Sequence, residues 1–175
     1  KKVDIGRVNN NYFLNVCSAG LLTDVSHKTD TALKNTLGKI AYYIKGIEEI
    51  PKFKAFRMRM QYDGNVIEDN FLLFLILNGS SAGGFNKLAP NASIEDGLME
   101  VIAFKHTNIT NMLGLFLKIL RGEHIGDPGM YYFQTDKLRI FCDEDCETDI
   151  DGERGPGFPL DIEVKKSFLK VFVPA

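Results

Sequence analysis

The alternation of apolar and polar positions along the chain predicts a protein built mainly from short strands. Residues 56–62 alternate Phe, Met and Tyr with Arg and Gln, which is the pattern of a strand with one exposed face. The uninterrupted apolar run at residues 71–77 has the length of a fully buried strand. Further strands are predicted at residues 3–8, 12–17, 66–69, 98–105, 131–134, 138–142, 160–165 and 168–173.

Helical spacing of apolar residues occurs in three segments. It predicts a short helix at residues 29–37 and a clearer one at residues 37–50. A third helix is expected after Asn108 or Thr110, because either side chain can cap the first turn. That helix should end near Gly122, since glycine suits the residue after a helix C-terminus.

The order and length of these elements favour one fold class. The strands are short, linked by turns and not regularly alternated with helices, so we expect a mainly β fold: an antiparallel β-sandwich with a few crossing helices. A length of 175 residues fits a single domain, residues 1–175, with a sizeable core. The net charge of -2 provides no positive field for collecting nucleic acid. No stretch approaches the ~20 apolar residues that a transmembrane helix needs.

The cysteines and histidines do not form a recognisable metal or nucleophile motif. An odd number of cysteines without an apparent signal peptide fits a reducing compartment. A structural zinc site is not expected, because the pair Cys142 and Cys146 has no second pair to complete it. The histidines are scattered and are expected at the surface or in loops; they are His27, His106 and His124.

Every odd-numbered position from 145 to 153 carries a carboxylate. In an extended strand, alternate side chains share one face at spacings of roughly 6.5–7 Å, so five negative charges would line one side of a ribbon. Such a row repels itself unless water, basic groups or a metal ion offsets it. It is either a solvated edge that resists aggregation or one side of a site for Mg²⁺ and phosphate, and we favour the second. The five residues are Asp145, Glu147, Asp149, Asp151 and Glu153.

A stretch of small residues at positions 78–84 is the first candidate site. Small side chains let the backbone approach a ligand closely, and consecutive N–H groups can cradle an anion. The stretch lacks the Gly-Lys-Ser/Thr ending of a Walker loop, so a flexible connection between two strands is the competing interpretation. Its candidate residues are Asn78, Gly79, Gly83 and Gly84.

Two acidic turns supply the other candidates. Asp96, in the Asp-Gly turn of residues 93–98, could bind a hard cation together with turn carbonyls, although such turns are common. The segment Asp151-Gly152-Glu153 is a hairpin signal. In a functional interpretation Glu153 is a general base, since a carboxylate among like charges takes up a proton more readily.

Taken together, these segments resemble the C-terminal domain of soluble bacterial diacylglycerol kinases and their lipid-kinase relatives. The resemblance covers essentially the whole chain, and its combination of motifs is more specific than any single one. The motifs are Asn-Val-Cys-Ser-Ala-Gly at 15–20, the small-residue stretch at 78–84, Leu-Ala-Pro-Asn-Ala at 88–92, Asp-Gly-Leu at 96–98, Leu-Arg-Gly-Glu-His at 120–124 and Asp-Gly-Glu at 151–153.

The resemblance implies a two-domain enzyme of which this chain is the second domain. In that family an N-terminal α/β domain holds ATP with a Gly-Gly-Asp-Gly-Thr motif, and that motif is absent here. The implied proton acceptor is Glu153, with Asp151 supporting it or lying near the catalytic magnesium. The implied Mg²⁺ site uses the carboxylate of Asp96 and the main-chain carbonyls of Ser93 and Leu98.

The implied reaction is ATP-dependent phosphorylation of the diacylglycerol hydroxyl to give phosphatidic acid. Residues 78–84 would shape the wall where the lipid head group meets ATP. The implied partners are the N-terminal nucleotide-binding domain, the lipid substrate and the inner face of the membrane, in a cytoplasmic protein that could be a homodimer. This chain alone is not expected to catalyse. Phosphatidylglycerol, a sphingoid base or, more distantly, a soluble nucleotide remain as acceptors, and a non-catalytic interaction module remains as the other class.

Overall fold

The computed structural model describes residues 1–20 and 54–172, and in this part the chain forms one curled antiparallel sheet with a helix on its outer face. The elements in chain order are β1 (Lys2–Val8), β2 (Asn11–Phe13), β3 (Val16–Gly20), β4 (Phe56–Tyr62), β5 (Asn65–Leu77), β6 (Met99–Lys105), α1 (Ile109–Arg121), β7 (Met130–Thr135), β8 (Lys137–Cys142), β9 (Thr148–Ile150), β10 (Glu153–Arg154) and β11 (Leu160–Lys170). The predicted mainly β, antiparallel fold is confirmed.

The long strand β5 is the spine of the sheet. Its first half pairs with β4, from Tyr62 opposite Asn65 to Phe56 opposite Phe71, and its second half pairs with β3. Phe71 pairs with both β4 and β6, so these two strands lie on opposite sides of β5. β3 lies on the same side of β5 as β4, and the two follow one another along it. Two branches therefore leave this side: β3–β9–β10 and β4–β8–β11–β1–β2.

The connection between β2 and β3 explains why the sheet curls. These two strands belong to different branches, and β2 is the last strand of its branch. Only Leu14 and Asn15 separate them in the chain, and two residues span no more than about 7 Å. The two branches must therefore bend round until they meet at residues 14–15, which we call the corner.

Two apolar clusters stabilise this arrangement from the two faces of the sheet. The inner cluster fills the concave side and includes Phe13, Met58, Phe74 and Ile140. The outer cluster lies under α1 and the loop between β5 and β6. At roughly 25 cal/mol per Å² of buried apolar surface, these clusters provide the main driving force for the curl.

The third helix lies where its capping residues predict. The side chain of Asn108 accepts a hydrogen bond of 2.9 Å from the N–H of Asn111, and Gly122 closes the helix in the left-handed conformation. Leu115 on its inner side is buried in the outer cluster. The helices predicted at residues 29–37 and 37–50 lie outside the described residues. Within the described ranges, no helix is long and apolar enough to cross a bilayer.

Several predicted strand boundaries are wrong. Residues 66–69 and 71–77 belong to the single strand β5, because polar side chains at 68–70 do not interrupt its ladder with β4. Residues 160–165 and 168–170 likewise belong to β11, which ends at Lys170 and whose pairing with β1 continues past a bulge. Residue 173 lies outside the described residues. Residues 12–17, predicted as one strand, are divided by the corner.

Candidate functional site

The acidic segment is not the extended ribbon that its alternation predicts. Asp151 and Gly152 both have positive φ, +52° and +94°, and form the turn of the hairpin between β9 and β10. Residues 145–147 precede β9 and belong to no strand. The five carboxylates therefore do not share a face, and the prediction of a single charged row is wrong. The preference of Asp-Gly for a two-residue turn, with Gly at the second position, determines the backbone here, and the alternation of carboxylates does not.

The carboxylate of Asp151 holds the corner in place. Its two oxygens accept three backbone hydrogen bonds, from the N–H groups of Leu14 at 2.6 Å, Asn15 at 3.0 Å and Val16 at 2.8 Å. The N–H of Asp151 in turn donates to the carbonyl of Val16 at 2.9 Å. The tip of the β9–β10 hairpin is thereby fixed against the point where the two branches of the sheet meet.

Asp151→Ala is expected to loosen the corner selectively. Without the carboxylate, the three N–H groups lose charge-assisted partners, so their exchange with deuterium should accelerate at Leu14, Asn15 and Val16. Asp149→Ala is the matched control, because the Asp149 side chain accepts only from Gly152 in the same hairpin, at 3.0 Å. Unchanged exchange at all three amides in Asp151→Ala would contradict this role.

Glu153 lies next to that fixed tip. It pairs with Ile150 across the hairpin, two residues after Asp151, and its side chain is exposed. Within the described residues its carboxylate takes part in no hydrogen bond or ion pair. A groove of about 580 Å³ lies elsewhere, between the β4–β5 turn, β8 and β11, and none of the candidate residues lines it. Glu153 is thus an unoccupied acceptor on an open surface of this chain.

Asn78 connects the small-residue stretch to the corner. It is 3% exposed, and its side-chain amide donates to the carbonyls of Asp4 at 2.8 Å and Leu14 at 3.1 Å. Its backbone N–H donates to the carbonyl of Asn15 at 3.0 Å, and Gly79 follows it in the chain. Asn78 and Asp151 therefore hold the same two corner residues from opposite sides.

Gly83 and Gly84 serve a tight turn rather than the corner. Both have positive φ, +59° and +86°, and the flanking residues Ala82 and Phe85 form an isolated bridge closed by a hydrogen bond of 3.0 Å. Of the four residues singled out in this stretch, Asn78 reaches the corner through its hydrogen bonds, and Gly79 is the next residue in the chain. The turn geometry explains the two later glycines.

Asp4 is a structural centre that sequence patterns did not single out. It is 1% exposed, and its carboxylate accepts from the N–H groups of Gly97 at 2.7 Å and Ser167 at 2.6 Å. Its own N–H donates to Ile94 at 2.7 Å, and its carbonyl accepts from Asn78. One residue of β1 thus links the loop 93–98, the β11 bulge and the small-residue stretch.

A signal for Asp4 was present but not used. It is a charged residue between Val3 and Ile5 in a predicted strand, and a carboxylate at such a position must find donors when it is buried. The irregularity that supplies one donor lies in β11, where Ser167 has a φ of +50° and the register with β1 shifts.

The acidic turn of residues 93–98 has a donor set that suits a hard cation. One carboxylate oxygen of Asp96 accepts the N–H of Leu98 at 2.9 Å, and within the described residues the other oxygen has no partner. The Ser93 hydroxyl accepts a hydrogen bond from the N–H of Glu95 at 3.3 Å. Within the described residues, the main-chain carbonyl of Ser93 accepts no hydrogen bond. One exposed carboxylate with turn carbonyls fits Mg²⁺, which keeps several waters. No group of three or more His, Cys, Asp or Glu side chains able to hold a metal occurs among residues 1–20 and 54–172.

The thiols near the site are inert. Burial, followed by the negative charges of Asp149 and Asp151, raises the pKa of Cys17 to about 12. Burial likewise raises the pKa of Cys146 to about 12. A protonated, buried thiol is a poor nucleophile and a poor metal ligand, so cysteine chemistry does not compete with carboxylate chemistry here.

The histidines that the structure describes take no part in the site. His106 is exposed between β6 and α1, as predicted. His124 lies in a loop, as predicted, with its ring fully buried and its Nε2 2.8 Å from the Leu88 carbonyl. That contact joins the 120–124 and 88–92 segments. His27 lies outside the described residues.

Comparison with known proteins agrees with this architecture. A family model described as the YegS C-terminal NAD kinase beta sandwich-like domain matches residues 15–173. Proteins named diacylglycerol kinase from Staphylococcus aureus strains JH9 and Newman are each 38% identical over 173 residues, covering 99% of this chain and 55% of theirs.

Solved structures show the same relationship. A putative diacylglycerol kinase from Bacillus anthracis str. Sterne has a TM-score of 0.77 and 30% identity, covering 95% of this chain and 56% of that one. A second structure of a diacylglycerol kinase from that strain has a TM-score of 0.72 and 29% identity, covering 95% and 54%. The chain spans about half the length of the relatives that it matches.

Proposed function

Because this chain belongs to the family of YegS C-terminal NAD kinase beta sandwich-like domains, we propose that it is the C-terminal part of an ATP-dependent lipid kinase. The relatives named diacylglycerol kinase support a kinase family. The proposed reaction transfers the γ-phosphoryl group of ATP to the hydroxyl of diacylglycerol, giving phosphatidic acid and ADP. ATP would be held mainly by an N-terminal nucleotide-binding domain of the same polypeptide.

The position of Glu153 is the single observation that carries the proposal. Three hydrogen bonds from the corner to Asp151 fix the hairpin tip, and Glu153 follows two residues later with a carboxylate that has no described partner. A general base needs a defined position and a free lone pair at the same time. Among the candidate carboxylates, Glu153 combines both.

The proposed step conserves atoms and charge. The lipid hydroxyl oxygen attacks the γ-phosphorus, the bond from that phosphorus to the β–γ bridging oxygen breaks, and the hydroxyl proton passes to Glu153. Asp151 acts by positioning, since backbone N–H groups occupy both of its oxygens. Asn78 and Gly79 lie on the opposite side of the corner, where they would border the lipid head group.

We also propose that Asp96 helps to hold Mg²⁺, with the main-chain carbonyls of Ser93 and Leu98. When bound at this structural site, Mg²⁺ would order the adjoining turn. The turn is connected to the corner through Asp4, whose carboxylate binds Gly97 and whose carbonyl binds Asn78. Ordering the turn would therefore support the same hydrogen-bond network that positions Glu153.

Asp96→Asn is expected to raise the Mg²⁺ concentration for half-maximal activity roughly tenfold or more, because an amide replaces the one charged ligand. The measurement is a Mg²⁺ titration of lipid phosphorylation by the full polypeptide. Glu95→Gln is the control, since Glu95 is a neighbouring exposed acid whose carboxylate pairs with Lys1 at 3.1 Å. Equal titration curves for Asp96→Asn and the parent would refute the assignment.

The proposed activity is tested by supplying the full polypeptide with γ-labelled ATP, Mg²⁺ and a lipid acceptor in mixed micelles. Labelled phosphatidic acid from diacylglycerol is the expected product. Phosphatidylglycerol and a sphingoid base, offered separately, test the other lipid acceptors, and NAD tests a soluble one. Label in NAD alone, or in none of the acceptors, would overturn the lipid-kinase proposal.

A further inference from the structure

Three large apolar side chains are exposed near the end of the branch that finishes in β1 and β2. Tyr12 is 50% exposed, Leu14 57% and Phe168 59%. The rings of Tyr12 and Phe168 stack with centroids 5.6 Å apart, so the cluster is ordered although it faces outward. We call these three residues the apolar ridge. Its members come from β2, the corner and β11.

Lysines accompany the apolar ridge. Lys166 and Lys170 lie two residues before and after Phe168, and both are exposed. Lys170 pairs directly opposite Lys2 across the β1–β11 ladder. Two like charges facing each other on neighbouring strands repel, unless an anion lies between or above them. None of these three lysines forms an ion pair within residues 1–20 and 54–172.

Two further basic groups near the apolar ridge share one acid. Arg7, which pairs with Tyr12 across β1 and β2, contacts Glu163 at 2.7 Å. Lys165 forms an ion pair with the same carboxylate, so one acid serves two bases. Exposed aromatic rings beside lysines that form no ion pair among the described residues are complementary to an anionic lipid bilayer.

The apolar ridge is connected directly to the candidate site. The N–H of Leu14 donates to Asp151, and its carbonyl accepts from Asn78. Phe168 follows Ser167, whose N–H binds the carboxylate of Asp4. The second group of exposed apolar residues, Leu113 and Leu117 on α1, belongs to the helix over the outer cluster.

We propose that the apolar ridge inserts into the head-group region of an anionic bilayer while Lys2, Lys166 and Lys170 contact lipid phosphates. Apolar side chains of surface-bound proteins reach about 5–10 Å into the head-group and acyl boundary. The hydroxyl of a membrane-resident lipid lies at that boundary, so the carboxylate that accepts its proton must stay close to the inserted residues. Leu14 is one hydrogen bond from Asp151, which meets this requirement. The choice of lipid rests on the proposed kinase function.

A tryptophan reporter tests the insertion directly, because the chain contains no tryptophan. Phe168→Trp in the full polypeptide, with any tryptophan outside these 175 residues replaced by phenylalanine, is titrated with vesicles of phosphatidylcholine and phosphatidylglycerol that carry brominated acyl chains. We expect bromine to quench its fluorescence strongly, and quenching to disappear with pure phosphatidylcholine. Leu117→Trp is the matched control, since Leu117 is 53% exposed on α1, and it should not be quenched.

A variant that lacks the three lysines provides a second test of membrane binding. Replacing Lys2, Lys166 and Lys170 together with Gln should weaken partitioning onto anionic vesicles about 100-fold, from about fivefold per lysine. Quenching of Leu117→Trp but not Phe168→Trp would overturn the proposal. So would a fluorescence change in Phe168→Trp that depends on protein concentration but not on vesicles, since a second copy would then cover the apolar ridge. The quenching experiment measures vesicle contact and needs no catalytic turnover. A negative result would therefore overturn membrane insertion without affecting the kinase proposal, which the phosphorylation assay tests.

Discussion

Asp4→Ala is expected to lower the free energy of unfolding by about 2–6 kcal/mol. The substitution leaves the N–H groups of Gly97 and Ser167 without their acceptor, and each buried, unpaired donor costs about 1–3 kcal/mol. Chemical denaturation measures the loss. Amide exchange should also accelerate at Gly97 and Ser167, two positions 70 residues apart in the chain that both donate to this carboxylate.

Asp161→Ala is the control for that experiment. Asp161 is also an acid on this part of the sheet, but it is exposed and pairs with Arg139 at the surface, at 2.9 Å. Exposed ion pairs contribute about 0–1 kcal/mol, so this variant should stay close to the parent. If Asp4→Ala lost no more stability than Asp161→Ala, Asp4 would not be the centre that joins the turn of residues 93–98 to the sheet.

Much of the fold follows from local patterns in the sequence. The alternation at residues 56–62 and the apolar run at 71–77 predict β4 and the buried part of β5, because side-chain burial on a pleated strand has a period of two. Asn108 and Gly122 predict the ends of α1, because capping depends on neighbouring backbone groups. Features decided within a few residues were thus accessible from the sequence.

Features decided by distant partners were not accessible. The role of Asp4 depends on a bulge 163 residues away in the chain, and the curl depends on the order of strands in the sheet. The acidic ribbon failed for a different reason. Its alternation was real, but the Asp-Gly pair at 151–152 also specifies a two-residue turn, and turn geometry takes precedence over strand periodicity. Glu153 nevertheless remains the candidate general base, because the turn places it beside the corner.

Glu153→Gln in the full polypeptide is expected to lower kcat by about 10²–10⁴-fold. Glutamine keeps the shape of the side chain but does not accept the proton of the lipid hydroxyl, and positioned bases contribute about that factor. Stability should be unchanged, since no described hydrogen bond or ion pair uses this carboxylate. KM for ATP should also change little, because the proposed interaction develops as the proton is transferred. Steady-state kinetics and a denaturation curve measure these quantities.

Asp145→Asn separates a specific base from a general effect of negative charge. Asp145 is exposed in the same acidic segment, but it precedes β9 and is not carried on the fixed hairpin tip. It should retain close to full kcat. A similar loss in Asp145→Asn and Glu153→Gln would mean that the segment acts through its total charge, and Glu153 would have no individual role.

The most direct test is the single-turnover rate of phosphoryl transfer from ATP to diacylglycerol, with the enzyme in excess over ATP and both substrates bound. This rate reports the chemical step without product release or lipid exchange. The proposed role of Glu153 predicts a fall of about 10²–10⁴-fold in Glu153→Gln, with the Asp145→Asn rate close to that of the parent. Equal single-turnover rates for Glu153→Gln and the parent would contradict it.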